Sequence, residues 1–208
     1  MKRPTLRKLA RRPEGFTIVE LMIATLVFSM ILLIIMTGVI QVTRTYYKGI
    51  TENNTQTTAR TIMDTVSQAI QFNGGIVSNT PAYQSGTPLV TCVGGQQFIY
   101  MLGKELVDGT NNHVIYQSNS AGCSAGSGSF SGASGGRELM SPHMRLSNFS
   151  VTNIAGTNSY AIDVKVVYGD DDLLNDPTGT DASCEGVTAG TQFCAVSELS
   201  TVVTKRVQ

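Results

Sequence analysis

No charged residue interrupts the 23 positions from Leu21 to Thr43, and Leu, Ile, Met and Val dominate them. Elsewhere, too, the chain is poor in the groups that chemistry needs. Its two histidines, His113 and His143, have no Cys, Asp or Glu pattern beside them that would suggest a ligand set or a triad. Its four cysteines show no C-x-x-C pair, so a zinc ribbon has little to stand on. The Ser-rich loops offer no nucleophile elbow, and no Gly-rich run leads into a Lys-Ser/Thr pair and a helix. These absences leave no catalytic constellation, and the chain reads as a non-enzyme.

Charge is scarce as well, at 14% of residues, against 41% hydrophobic ones, a balance that suits a folded chain. A length of 208 residues holds one domain of ordinary size and an appendage. The net charge of zero hides an asymmetry. Lys2, Arg3, Arg7, Lys8, Arg11 and Arg12 face only Glu14, whereas from Phe16 onward nine Lys/Arg meet fourteen Asp/Glu, a balance of −5. An acidic body has no general attraction for nucleic acid or anionic lipid. The basic head is instead a topogenic signal.

As a helix, the uncharged run covers roughly 35 Å at about 1.5 Å per residue, enough for a hydrocarbon core of about 30 Å. The Lys/Arg cluster ahead of it stays cytoplasmic, which puts everything after Arg44 outside. A secretory signal peptide would have an apolar region of about 7–15 residues and a small-x-small site behind it, which Ile40-Gln41-Val42-Thr43 does not provide. A plain transmembrane anchor is the stronger alternative. Glu20 speaks against it, because a charge in lipid costs about 2.5–3.5 kcal/mol and an ordinary anchor gains nothing from one. A carboxylate there implies a partner.

The string Arg11-Arg12-Pro13-Glu14-Gly15-Phe16-Thr17-Ile18-Val19-Glu20, continued by Leu21-Met22-Ile23-Ala24, resembles the processing site of type IV prepilins and type II secretion pseudopilins. The resemblance implies that a membrane aspartyl prepilin peptidase cuts after Gly15. It makes Phe16 the new, N-methylated terminus. It gives Glu20 the task of pairing with a Phe16 ammonium, that of a neighbouring subunit. It also implies other pilin or pseudopilin subunits and an inner-membrane assembly platform as partners, and passage from the cytoplasmic membrane into an extracellular filament. Major pilins of this family usually carry a proline in the middle of the apolar helix, and none occurs between Phe16 and Phe72. With the 15-residue leader, and with Glu138 to Leu146, this is similar to J/W-type minor pilins. A filament-presented adhesin or DNA-uptake receptor is the alternative function.

Beyond the membrane run, Ala59, Ile62, Met63, Val66, Ala69 and Ile70 recur at helical spacing, so one helix is expected from Thr17 to Phe72, ended by Asn73-Gly74-Gly75. The expected divisions are thus a leader at 1–15, an assembly helix at 16–43, its amphipathic continuation at 44–73 and a β-rich head at 74–208. In the head, Gln97–Leu102, His113–Gln117, Leu146–Thr152, Tyr160–Tyr168 and Leu199–Val207 read as strands. The alternation Ile162-Asp163-Val164-Lys165-Val166 predicts one buried and one wet sheet face. The expected class is α+β, a long helix packed on an antiparallel sheet. Residues 118–136, with 13 Gly or Ser among 19, read as a flexible loop.

The even cysteine count and an oxidising compartment argue for two disulfides. Four cysteines allow three pairings. The resemblance favours Cys184–Cys194, a local loop near the C-terminus as in many pilins, with Cys92–Cys123 as the other. Asp170, Asp171, Asp172 and Asp176 form an acidic loop after a strand, read either as a solvated turn or as oxygen ligands for calcium, without EF-hand spacing. No other cofactor is expected.

Overall fold

The computed structural model describes residues 15–73, 77–78, 86–107, 113–119, 123–130, 135–186 and 190–206. The leader ahead of Gly15, the Gly74-Gly75 stop and the strand end at Val207 lie outside them. The chain divides into two compact units, up to Thr43 and from Arg44 onward. Helix α1 runs unbroken from Ile18 to Phe72, 55 residues, through both Gly38 and Gly49.

In the second unit α1 buries a stripe of Thr51, Thr55, Thr58, Ala59, Ile62, Met63, Val66, Ala69 and Ile70. Its lower half is the apolar face legible in the sequence. Its upper half is threonine, which buries at little cost because each hydroxyl has a partner: Thr51 Oγ1 donates to Tyr47 O (2.9 Å) and Thr55 Oγ1 to Thr51 O (2.8 Å), both inside the helix, while Thr58 Oγ1 shares a hydrogen bond with Ser141 Oγ (3.3 Å).

Among the described residues eleven strands follow: β1 (Val77–Ser78), β2 (Leu89–Val93), β3 (Gln96–Tyr100), β4 (Ile115–Asn119), β5 (Gly126–Ser127), β6 (Arg137–Glu138), β7 (Met144–Asn153), β8 (Ser159–Tyr168), β9 (Leu174–Asn175), β10 (Ser183–Cys184) and β11 (Ala195–Thr204). They form an antiparallel sheet in the order β1-β2-β3-β4-β6 with β5 on β2, a three-stranded sheet β11-β8-β7, and a small β9–β10 pair. One core joins the α1 stripe to both larger sheets, with Phe98, Tyr100, Leu146, Phe149, Val164 and Val166 prominent in it. Each such side chain contributes about 1.5–3 kcal/mol by leaving water. The rings of Tyr100 and Phe149, 4.8 Å apart and edge-on, tie the sheets together. The class is α+β.

The head departs from its sequence reading in three places. Strand β2 was not expected; it lacks alternation because it is buried on both faces. Leu89 and Val93 face the main core, while Val90 and Cys92 join a second cluster with Ile99, closed over by Cys123, Ala125 and Phe130 of the Gly/Ser stretch. That stretch is therefore not all loose loop. Gly126–Ser127 pairs with β2, and a Cβ on Gly128 would collide with the Val90 side chain, so only glycine lies this close. Third, the outer face of β8 is not simply wet. Val167 packs under Leu173, Leu174, Ala182 and Cys194 around the β9–β10 pair. Smaller differences concern strand ends, β11 beginning at Ala195 rather than Leu199.

Under this cover Lys165 is buried, and its Nζ donates to Asp181 Oδ1 at 2.7 Å. That hydrogen bond, then the charge behind it, holds the exposed Asp181 carboxyl below the usual range. A depressed folded-state pKa adds stability above the unfolded Asp value of about 4 and loses it as pH falls through the folded value. Asp181→Asn should therefore flatten the acid limb of urea midpoint plotted against pH, by a small amount because solvent screens the pair. An unchanged limb would show that the pair contributes nothing.

Candidate processing and assembly site

Among the described residues the first unit is a bare helix from Ile18 onward. Every described residue from Gly15 to Ile50 is exposed, including Phe16 (84%) and the large apolar side chains from Ile18 to Ile40. Alpha-helical bonding satisfies the backbone and no side chain is covered, a surface that water does not tolerate at this extent. By length and composition α1 is able to cross a membrane.

The start of this helix is built by its own side chains. Thr17 donates its backbone N–H (2.9 Å) and its hydroxyl (2.8 Å) to Glu20 Oε2, while Thr17 Oγ1 accepts from Glu20 N (3.3 Å). This is a capping box, Thr at N-cap and Glu at N3, which satisfies orphan donors at both residues. The Thr-x-x-Glu spelling before an apolar run was its sequence signal, and the reading of Glu20 from its charge alone passed over it. Both bonds to the carboxylate fall on Oε2. Among the described residues no cation pairs with Glu20, and its charge is met there by the Thr17 donors and the helix dipole. At Gly15 a Cβ would meet nothing within 4 Å, and its backbone is not left-handed, so the chain's own packing does not require glycine.

The prokaryotic N-terminal methylation motif, as a protein family, matches residues 10–36. The chain carries a prokaryotic N-terminal methylation motif. The match takes in Gly15, Phe16 and Glu20 and supports the type IV prepilin and pseudopilin family. No curated protein and no solved structure matches the chain.

In the head, disulfides join Cys92 to Cys123 and Cys184 to Cys194. Loops of these lengths are typically stabilised by about 2–4 kcal/mol each. The four aspartates of the acidic loop are not drawn into one ligand group. Asp171 Oδ1 pairs with the buried Arg145 Nη2 at 2.5 Å, and Asp176 sits in a turn at φ 51°. Asp170 instead approaches Glu105 and His143, whose ligand atoms with its own all lie within 4.8 Å of one another. His143 Nδ1 is 3.2 Å from Glu105 Oε1, and Arg145 Nη2 donates to Glu105 Oε2 at 2.8 Å, so Glu105 already has partners within the chain.

His113 is set against Glu138 and between the rings of Tyr116 (4.5 Å) and Phe130 (5.6 Å). The elbow spelling, passed over in reading the Ser-rich loops, occurs twice: at Gly122-Cys123-Ser124-Ala125-Gly126, where Cys123 is bridged to Cys92 and Gly126 opens a strand rather than a helix, and at Gly132-Ala133-Ser134-Gly135-Gly136, whose serine lies outside the described residues.

Proposed function

We propose that this chain is a structural subunit, a minor pilin or pseudopilin of a type IV pilus or type II secretion-like filament, cut between Gly15 and Phe16 by a prepilin peptidase. The observation that carries the reading is Glu20: a carboxylate held by Thr17 at the mouth of an apolar helical stretch exposed as far as Ile50, with no cation paired to it among the described residues. Cleavage creates an ammonium at Phe16. In low dielectric the two ions attract strongly, though desolvation offsets much of the gain, so the value of the pair is registry between neighbouring helices. Glycine at position 15, which packing does not demand, suits close approach of a protease to the backbone. Removing the basic leader also releases the positive-inside restraint and frees the subunit for extraction into the filament.

The remaining partners of this reading are sister subunits and an inner-membrane assembly platform, with the head outside the cytoplasmic membrane. The unbroken α1, without the mid-helix proline of bulk pilins, supports the minor or J/W-type role. The acidic head supports neither DNA uptake nor a general anion receptor. No catalytic role is part of the proposal. The test is intact mass: co-expression with a prepilin peptidase should remove residues 1–15 and add a methyl, and N-terminal sequencing should begin at Phe16. A mature chain starting elsewhere overturns the proposal.

A further inference from the structure

Three exposed aromatic rings lie together at the start of the second unit. Tyr46 and Tyr47 are edge-on at 6.1 Å, and Phe193 tilts against Tyr47 at 5.7 Å. Tyr46 is 65% exposed, Tyr47 46% and Phe193 44%, so none of them serves the core. The two tyrosines are placed by the helix. They follow Thr43, the last residue of the uncharged run, by three and four positions in α1, roughly 5 Å along its axis.

Phe193 comes from far along the chain and is placed on purpose-built backbone. It closes a short 3-10 turn, Thr191–Phe193, whose left-handed cap Gly190 (φ 111°) sits against Leu173, and Cys194 beside it is bridged to Cys184. The packing that fixes the turn is buried, whereas the ring itself is not.

The geometry points to a lipid-facing platform: Tyr46, Tyr47 and Phe193 seat the head at the headgroup level of the bilayer that α1 spans before assembly. Rings with an apolar body gather at that depth, and the continuity of the tyrosines with the membrane run puts them there. The partner is the polar–apolar boundary of the bilayer rather than anionic headgroups. Asp170 lines the same hollow as Phe193, with His143 and Tyr168, and would repel them; Lys48, near the tyrosines, is already paired with Glu52. The disulfide loop thereby gains a task before assembly, holding an anchor ring beside the helix. This inference rests on the membrane-spanning reading of α1.

The chain has no tryptophan, so a single substitution gives a clean fluorescent reporter. Three full-length variants, Phe193→Trp, Ile31→Trp and Val202→Trp, are reconstituted separately into phosphatidylcholine vesicles carrying lipids brominated either high or deep on the acyl chain. Phe193→Trp should be quenched more by the shallow bromines, Ile31→Trp more by the deep ones, and Val202→Trp, exposed at the far end of β11, by neither. Quenching of Ile31→Trp without any of Phe193→Trp overturns the platform and spares the spanning helix. Quenching of Val202→Trp as strong as that of Phe193→Trp also overturns it, since the head would then adsorb without a preferred face. No quenching of Ile31→Trp overturns both readings.

Discussion

Glu20→Ala should give a chain that inserts and is cut normally yet is missing from filaments, with incorporation falling from the wild-type level to near background. Two losses are combined in that variant and differ in size. The cap is worth about 0.5–2 kcal/mol to the helix end, too little to abolish assembly of a 55-residue helix. The charge is the larger loss. Without Glu20 the Phe16 ammonium of a neighbour enters the packed helices unpaired, a state that costs about 3–5 kcal/mol when one partner of a buried pair is removed. Glu20→Gln separates the two, because its amide oxygen still accepts from Thr17 while the charge is gone. Both variants should fail alike if charge decides, and Gln should assemble if capping decides. The checks are leader loss by intact mass and the amount of subunit in sheared filaments. Wild-type incorporation of the alanine variant would remove the case for the ion pair.

What could be read from the sequence follows the physics of pattern. The helix was legible because a long uncharged run and a period of three and four leave no other solution, and the α+β class followed from it. Strand β8 was legible through Ile162, Val164 and Val166. Strand β2 was not, and the reason is the same one that disguised the Gly/Ser stretch. Val90 and Cys92 need a cover, and that cover is Ala125 and Phe130 held down by Cys123. A strand buried on both faces has no period, and a loop rich in glycine has no apolar signal, so each concealed the other. The buried threonines of α1 escaped for a related reason: the polarity of Thr51 and Thr55 is spent inside the helix and that of Thr58 on Ser141, which pattern alone does not reveal. At the candidate site the residues Gly15, Phe16 and Glu20 stood out by resemblance and charge. The capping box was spelled there as well, yet its consequence, a carboxylate already aimed by Thr17, emerges only from the hydrogen bonds.

The head has a polar node of its own, and Glu138→Ala should be its most damaging exposed-edge substitution. Glu138 Oε2 accepts from Val114 N (3.1 Å) and His113 Nδ1 (3.2 Å), and Oε1 accepts from Ile115 N (2.9 Å) and Met140 N (3.1 Å). One side chain thus serves three backbone donors where β4 begins and the chain turns from β6 toward β7. Val114 and Ile115 are fully buried, so their N–H groups have no ready substitute. A buried donor left unsatisfied costs about 1–3 kcal/mol, and a hydrogen bond to a charged acceptor is worth about 1.5–3 kcal/mol. The costs do not add fully, because the Glu138 side chain is 18% exposed and water can enter the vacated space. A net loss of about 3 kcal/mol is expected, a large part of the 5–15 kcal/mol typical of a domain. Glu138→Gln keeps one good acceptor but turns an amide donor toward backbone donors, so its loss should be intermediate. Urea unfolding of the full chain in detergent, followed by tyrosine near-UV circular dichroism, measures both. Equal midpoints for wild type and the alanine variant would mean that water satisfies these amides as well as the carboxylate does.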